Sequence, residues 1–196
     1  MTQRLFTFGL AAWSGAGKTT LAEKIIKQSV IHNISISTVK HAHHNFEADI
    51  EGKDSFRHRK AGAGQVVIAS ANRMAKFTEK KTPFQPTLAY CLAELDSCDW
   101  VLVEGFKSEA ICKIEVFNPA LGHPPLYEID DNIKAIVVPE LGADYPIAAF
   151  QRDDIAGIFA FLCQLADDQH SDNQHSDNQH SDDQHSDDQH SDEVSL

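Results

Sequence analysis

Ala12-Trp13-Ser14-Gly15-Ala16-Gly17-Lys18-Thr19 fits seven of the eight positions of the phosphate-loop pattern G-x-x-x-x-G-K-[ST], with Ala12 in place of the first glycine. The chemistry this spacing serves is the capture of a polyphosphate. Successive backbone N–H groups over Ser14, Gly15, Ala16, Gly17 and Lys18 can wrap a phosphate, because glycine permits the close and strained approach that the wrap needs. A helix beginning at this point presents its N-terminal dipole to the same anion. In this pattern Lys18 bridges the terminal phosphates and the Thr19 hydroxyl binds Mg²⁺. A Mg²⁺–nucleotide site also wants a carboxylate at the end of a neighbouring strand, since the ion takes one or two acidic ligands and keeps its other waters. Glu104, closing Asp99–Glu104 (DWVLVE) and followed by Gly105, is that candidate. Asp99 falls at the opposite end of the same segment.

A second polar constellation crowds His41, His43, His44, Asp49, Lys53, Asp54, Arg57, His58 and Arg59 into nineteen positions. It follows Ile34–Lys40, and loops beyond the carboxyl ends of strands line the ligand crevice of an open α/β sheet. Two readings stand side by side: a segment whose acids face metal or water and whose bases face phosphate, or a solvated charged connection. Asp49 and Asp54 are the candidates for orienting an attacking water, with Lys18 as the charge-bearing group. The three histidines of HAHH suit zinc or nickel, but no cysteine and no second spaced pair completes four ligands. Lys107 could reach the same crevice, and Trp13 either shields a nucleotide or packs under the loop.

These residues need a scaffold. Arg4–Ala11 (RLFTFGLA) reads as a buried parallel strand, and Leu21, Ile25 and Ile26 give the following helix its apolar face. Ile34–Lys40 is a second strand. Asp54–Gly62 is a short basic helix, and Gln65–Ser70 and Met74–Thr78 pair through a turn around Asn72. Pro83 and Pro86 precede a helix near Thr87–Leu95. Asp99–Glu104, Lys113–Phe117 and Ile133–Val138 are further strands, the last of the series, and Asp153 caps a final helix carrying Ile155, Ile158, Phe159, Phe161 and Leu162. Strands alternating with helices imply an α/β fold of the P-loop type, with a mostly parallel sheet flanked by helices.

Composition divides the chain at Asp167. From Gln169 the sequence repeats every five residues as QHSDN, QHSDN, QHSDD, QHSDD, QHSDE, with nothing apolar to bury, so residues 167–196 are expected to be disordered and 1–166 to form one nucleotide-binding domain. Ten of the 29 acidic residues lie at or beyond Asp167 and none of the 17 Lys and Arg do. The formal charge of −12 therefore leaves 19 acids against 17 bases, or −2, in the rest. That balance offers neither a nucleic-acid face nor a polybasic membrane patch. Cys91, Cys98, Cys112 and Cys163 form no CxxC pair and read as free thiols of a reducing compartment. The apolar run Leu5–Trp13 is too short to span a bilayer, so a cytoplasmic protein is expected.

Taken in order, AAWSGAGKTT, VKHAHH, the GKDS-x-RH-x-AGA stretch over Gly52–Ala63, LVEGFK and KIEVF resemble the molybdopterin-guanine dinucleotide biosynthesis adaptor B family, over about Leu5 to Leu165. The resemblance implies a P-loop protein that binds GTP with Mg²⁺, hydrolyses it weakly at most, and forms homodimers. It implies a role beside the guanylyltransferase that attaches GMP to molybdopterin, with transfer of the cofactor to molybdoenzymes. By position, Gly15 to Thr20 would hold phosphates and Thr19 and Glu104 would serve Mg²⁺. His41, His43, His44, Lys53 and Arg57 would line the nucleotide and partner side. No N-K-x-D motif is present, so guanine preference comes from the resemblance alone. Two other readings start from the residues. A nickel or zinc metallochaperone GTPase would use the recurring tail histidines His170, His175, His180, His185 and His190 as a metal store. A small-molecule kinase would need an arginine-rich lid, for which Arg57-His58-Arg59-Lys60 is the nearest stretch.

Overall fold

The computed structural model describes residues 5–42, 46–142 and 144–183, with side chains as far as 171. The chain forms two compact units, one of Met1–Lys40 with Asp96–Leu196 and one of His41–Leu95.

The first unit is built on a six-stranded sheet in the order β2-β5-β1-β6-β7-β8, with every pairing parallel. Its strands are β1 (Phe6–Ala12), β2 (Ile36–Lys40), β5 (Trp100–Glu104), β6 (Cys112–Val116), β7 (Ile133–Val138) and β8 (Ala148–Gln151). Side chains alternate across a strand, so Phe6, Phe8, Leu10 and Ala12 point to one face. There they join Leu21 and Ile25 of α1 (Lys18–Ile31) and Ile158 and Leu162 of α4 (Ile155–Asp183) in one buried core. Phe6 and Phe8 stack at 5.4 Å between centroids, and Trp100 meets both rings edge-on. Burying such rings is the main source of cohesion here, at roughly 2–3 kcal/mol for a fully buried Phe.

Two expectations change. β7 is not the last strand, because β8 follows and pairs with it from Ala135↔Ala148 to Val138↔Gln151. Ala148–Gln151 (AAFQ) is four residues long with no β-branched member, so its own pattern is too weak to announce a strand. The cap of α4 is Asp154, whose Oδ1 accepts from the Gly157 N–H at 3.0 Å; Asp153 is instead held by Lys24 Nζ at 2.8 Å. The last helix, α4, runs to Asp183.

The second unit holds α2 (Asp54–Lys60), the antiparallel hairpin β3 (Gln65–Ala69) with β4 (Met74–Thr78), and α3 (Leu88–Ala93), close to where the residues predict them. Thr87 caps α3 by accepting from the Tyr90 N–H. Arg59 ties the unit together, donating to Glu47 at 2.7 Å and Glu79 at 2.6 Å while lying over the Phe77 ring.

Candidate functional site

The phosphate loop leaves β1 at Ala12 and enters α1 at Lys18. Gly15 (φ 78°) and Gly17 (φ 102°) both adopt left-handed backbone, which costs an L side chain about 1–2 kcal/mol. This is the geometric need that fixes glycine at those two positions. Ala16 N–H closes a turn onto the Trp13 carbonyl at 3.2 Å, and Leu21 N–H makes the first helical bond to Gly17 O at 3.2 Å. The first amides of a helix have no partner within it. No side chain caps this end and no acid stands in the first turn of α1. The partial positive charge of a fourteen-residue helix is thus uncancelled by the protein beside an exposed Ser14, Thr19 and Thr20.

Glu104 closes β5 directly beside β1, opposite Leu10. It stands at the carboxyl edge from which the phosphate loop departs. Its side chain is 11% exposed, with Lys40 Nζ of β2 at 3.6 Å from Oε2. Since Lys40 is mostly exposed, that pair is worth little and leaves the carboxylate capacity for another cation. Asp99 sits at the far end of β5 as expected and ties that end to β2, since its Oδ2 accepts from both the N–H and the hydroxyl of Ser35 at 2.6 Å. The two acids of DWVLVE are separated by the length of the strand.

Two braces hold the loop, and sequence reasoning reaches neither in full. Trp13 packs on the segment around Pro124: its Nε1 donates to Pro124 O at 2.8 Å and its ring stacks on His123 at 4.6 Å. Arg152, one residue beyond β8, donates through Nη2 to Ala16 O at 3.0 Å. Its guanidinium carbon lies 3.5 Å from where a Cβ on Gly17 would be. Arg152 Nε is buried without a hydrogen-bond partner, a costly condition for a charged group's donor. A guanidinium therefore stands against the loop with donors to spare.

Residues 7–139 match the family model described as molybdopterin guanine dinucleotide synthesis protein B. The chain belongs to that family. The molybdopterin-guanine dinucleotide biosynthesis adapter protein of Escherichia coli is 36% identical over 162 residues, covering 82% of this chain and 93% of its own. The protein of the same name from Haemophilus influenzae is 40% identical over 149 residues, covering 75% and 79%. In fold, the crystal structure of Bacillus subtilis MobB matches with a TM-score of 0.62 at 22% identity, over 81% of this chain and 96% of that one.

The match to the MobB family model ends at residue 139, before Arg152, which lies in an unremarkable Gln-Arg-Asp-Asp string that only the sheet order brings to the loop. Of the remaining predicted site residues, Lys107 belongs to the first unit, while Asp49, Lys53, Asp54 and Arg57 belong to the second. Lys53 precedes α2, Asp54 opens it, and Arg57 is exposed on it. Asp49 accepts from Ser55 Oγ at 2.9 Å and faces Arg59 at 3.4 Å, so its carboxylate is engaged locally. The Arg59 hydrogen bond, followed by that from the Asp49 N–H, holds the Glu47 carboxyl below its usual value. His41 falls just past β2, while His43 and His44 lie outside the described residues. Lys107 is exposed, and its carbonyl accepts from Lys113. Among the described residues no group of three or more His, Cys, Asp or Glu is arranged to hold a metal. Among them too, no helix is long and apolar enough to cross a membrane.

Proposed function

We propose that this chain is a cytoplasmic GTP-binding adapter of molybdopterin guanine dinucleotide synthesis. It would act beside the guanylyltransferase that joins GMP to molybdopterin and turn over GTP slowly at most. The observation that carries the reading is the uncapped start of α1, with left-handed Gly15 and Gly17 and Lys18 as its first residue, one strand away from the Glu104 carboxylate. Amides and an ammonium gathered at one point favour a triphosphate, and the family names supply the pathway. Mg²⁺ fits the donor set: an exposed Thr19 hydroxyl and a carboxylate paired at 3.6 Å with a mostly exposed lysine. When bound, it would supply neutralisation of phosphate charge. Ser14 to Thr20 would hold the phosphates, and Lys18 would draw charge from the terminal one.

Calorimetry of the full chain with GTP and with ATP, each with Mg²⁺, tests this directly. GTP should bind more tightly; equal or absent binding of the two nucleotides ends the guanine assignment. Glu104→Gln keeps shape and removes charge, so Mg²⁺-dependent GTP affinity should fall by about tenfold while affinity in chelator stays as in the wild type. An unchanged Mg²⁺ response would remove Glu104 from the metal.

Arg152→Ala should weaken Mg·GTP by about tenfold, the worth of one charged hydrogen bond that fixes the loop. Arg152→Lys should recover only part of it, because an ammonium cannot reproduce the planar fork. Wild-type affinity in Arg152→Ala would reduce this contact to packing.

A further inference from the structure

The repeats that begin at Asp167 have no part in a phosphate loop. They run as Asp-x-Gln-His-Ser five times over and carry His170, His175, His180, His185 and His190. Each histidine has an aspartate three positions before it and another two positions after it, as Asp167 and Asp172 flank His170. Residues three apart are neighbours on a helix, and residues two apart share one face of an extended chain. Either backbone therefore sets an imidazole-bearing residue beside a carboxylate-bearing one in every repeat. The first such pair stands on α4, where Asp167 is exposed and His170 half-buried.

Charge selects the ligand class. Ten acids lie at or beyond Asp167 with no Lys or Arg among them, so no ion pair within the segment can relieve their repulsion. Cations are attracted there, and phosphates, nucleic acids and other anions are repelled. Carboxylates alone would suit Mg²⁺ or Ca²⁺, which prefer oxygen ligands. An imidazole in every repeat shifts the preference to first-row transition ions, and the absence of cysteine beyond Cys163 excludes a thiolate cage. Zinc takes four ligands, more than the pair one repeat supplies. Two repeats can give two imidazoles and two carboxylates, a set whose charge cancels that of the ion.

From this we infer that the repeats are a binding site for divalent transition ions of the zinc and nickel class. Histidines of different repeats and the aspartates beside them hold the ion together. Five repeats then take about two ions per chain. This site is separate from the Mg²⁺ proposed at Thr19 and Glu104, and it stands whether or not the phosphate loop holds GTP.

Equilibrium dialysis of the full chain against Zn²⁺ and against Ni²⁺, with Mg²⁺ and Ca²⁺ as comparisons, tests this by counting metal bound per chain. About two transition ions are expected, held at least about tenfold more tightly than Mg²⁺ or Ca²⁺. A full-length variant with all five repeat histidines changed to asparagine keeps the formal charge and leaves the core untouched. It should lose the zinc and nickel while still attracting Mg²⁺ and Ca²⁺ weakly through its acids. Changing Asp172, Asp177 and Asp182 to asparagine should weaken zinc by about tenfold, since charged ligands are then missing. His41, His43 and His44 are the other histidine cluster, and changing all three to asparagine should leave the count as in the wild type. Zinc and nickel bound no better than Mg²⁺ and Ca²⁺ would overturn the site. So would an unchanged count in the five-asparagine variant, or a count that falls to zero when only His41, His43 and His44 are replaced.

Discussion

Replacing Lys18 by alanine is expected to lower Mg·GTP affinity by about 100-fold, measured by calorimetry on the full chain. The figure follows from hydrogen bonds to charged groups at about 1.5–3 kcal/mol, with one lysine bridging two phosphate oxygens. Lys18 is the first residue of α1, where alanine forms helix at least as well as lysine. The variant should therefore melt close to the wild type, and lost binding will not be lost folding. The loop amides remain, so residual weak binding of phosphate is expected. Unchanged affinity in Lys18→Ala would mean that the ammonium does not face the nucleotide, and the assignment of the loop would fall.

The parts of this molecule that could be read from its residues are those in which neighbours in sequence remain neighbours in space. β1, the glycine loop and α1 form one uninterrupted run, so the glycine spacing, the lysine and the apolar face at Leu21 and Ile25 were all visible together. The hairpin of β3 and β4 is likewise local, closed by a turn in which Ser70 N–H bonds to Arg73 O. The place of Glu104 at the carboxyl end of β5 was legible for another reason: an apolar run that stops at an acid and a glycine marks where the strand ends.

What escaped depends on sheet order. Arg152 meets Ala16 across 136 positions, and Trp13 meets Pro124 across 111. Nothing in either segment marks its partner until β6, β7 and β8 are laid in sequence beside β1. The choice between Asp153 and Asp154 as cap is of the same kind, settled by Lys24 of α1 taking the first of them. Local patterns name the elements and the loop, and long-range topology chooses which charges brace that loop.

Glu115 bears the second large effect, on stability. It is fully buried in β6, and its carboxylate accepts from the Leu126 N–H at 2.8 Å and the Tyr127 N–H at 3.0 Å. Glu115→Ala leaves those two amides without an acceptor. At about 1–3 kcal/mol each, part recovered by water, the expected loss is about 3 kcal/mol. For a chain of this size that is a fall in Tm of about 10 °C, read by calorimetric melting. Glu115→Gln keeps one carbonyl for one amide and should lose about half as much. Burial raises the Glu115 carboxyl above its usual value, and the two amides offset only part of that. Because the folded protein then holds the proton more tightly than the unfolded chain, stability falls as pH rises. The window opens at the ordinary glutamate value of 4.5 and closes at the raised folded one. The advantage of wild type over Glu115→Gln should shrink across that window. The two amides open the turn Leu126–Glu128, which Pro125 separates from the Pro124 carbonyl that takes Trp13 Nε1. Loosening them should free that indole. Since Trp100, the other tryptophan, is 5% exposed in the core, a red shift in Glu115→Ala emission below its melting point would come from Trp13. A variant that melts with the wild type and emits like it would show that the loop holds Trp13 without Glu115.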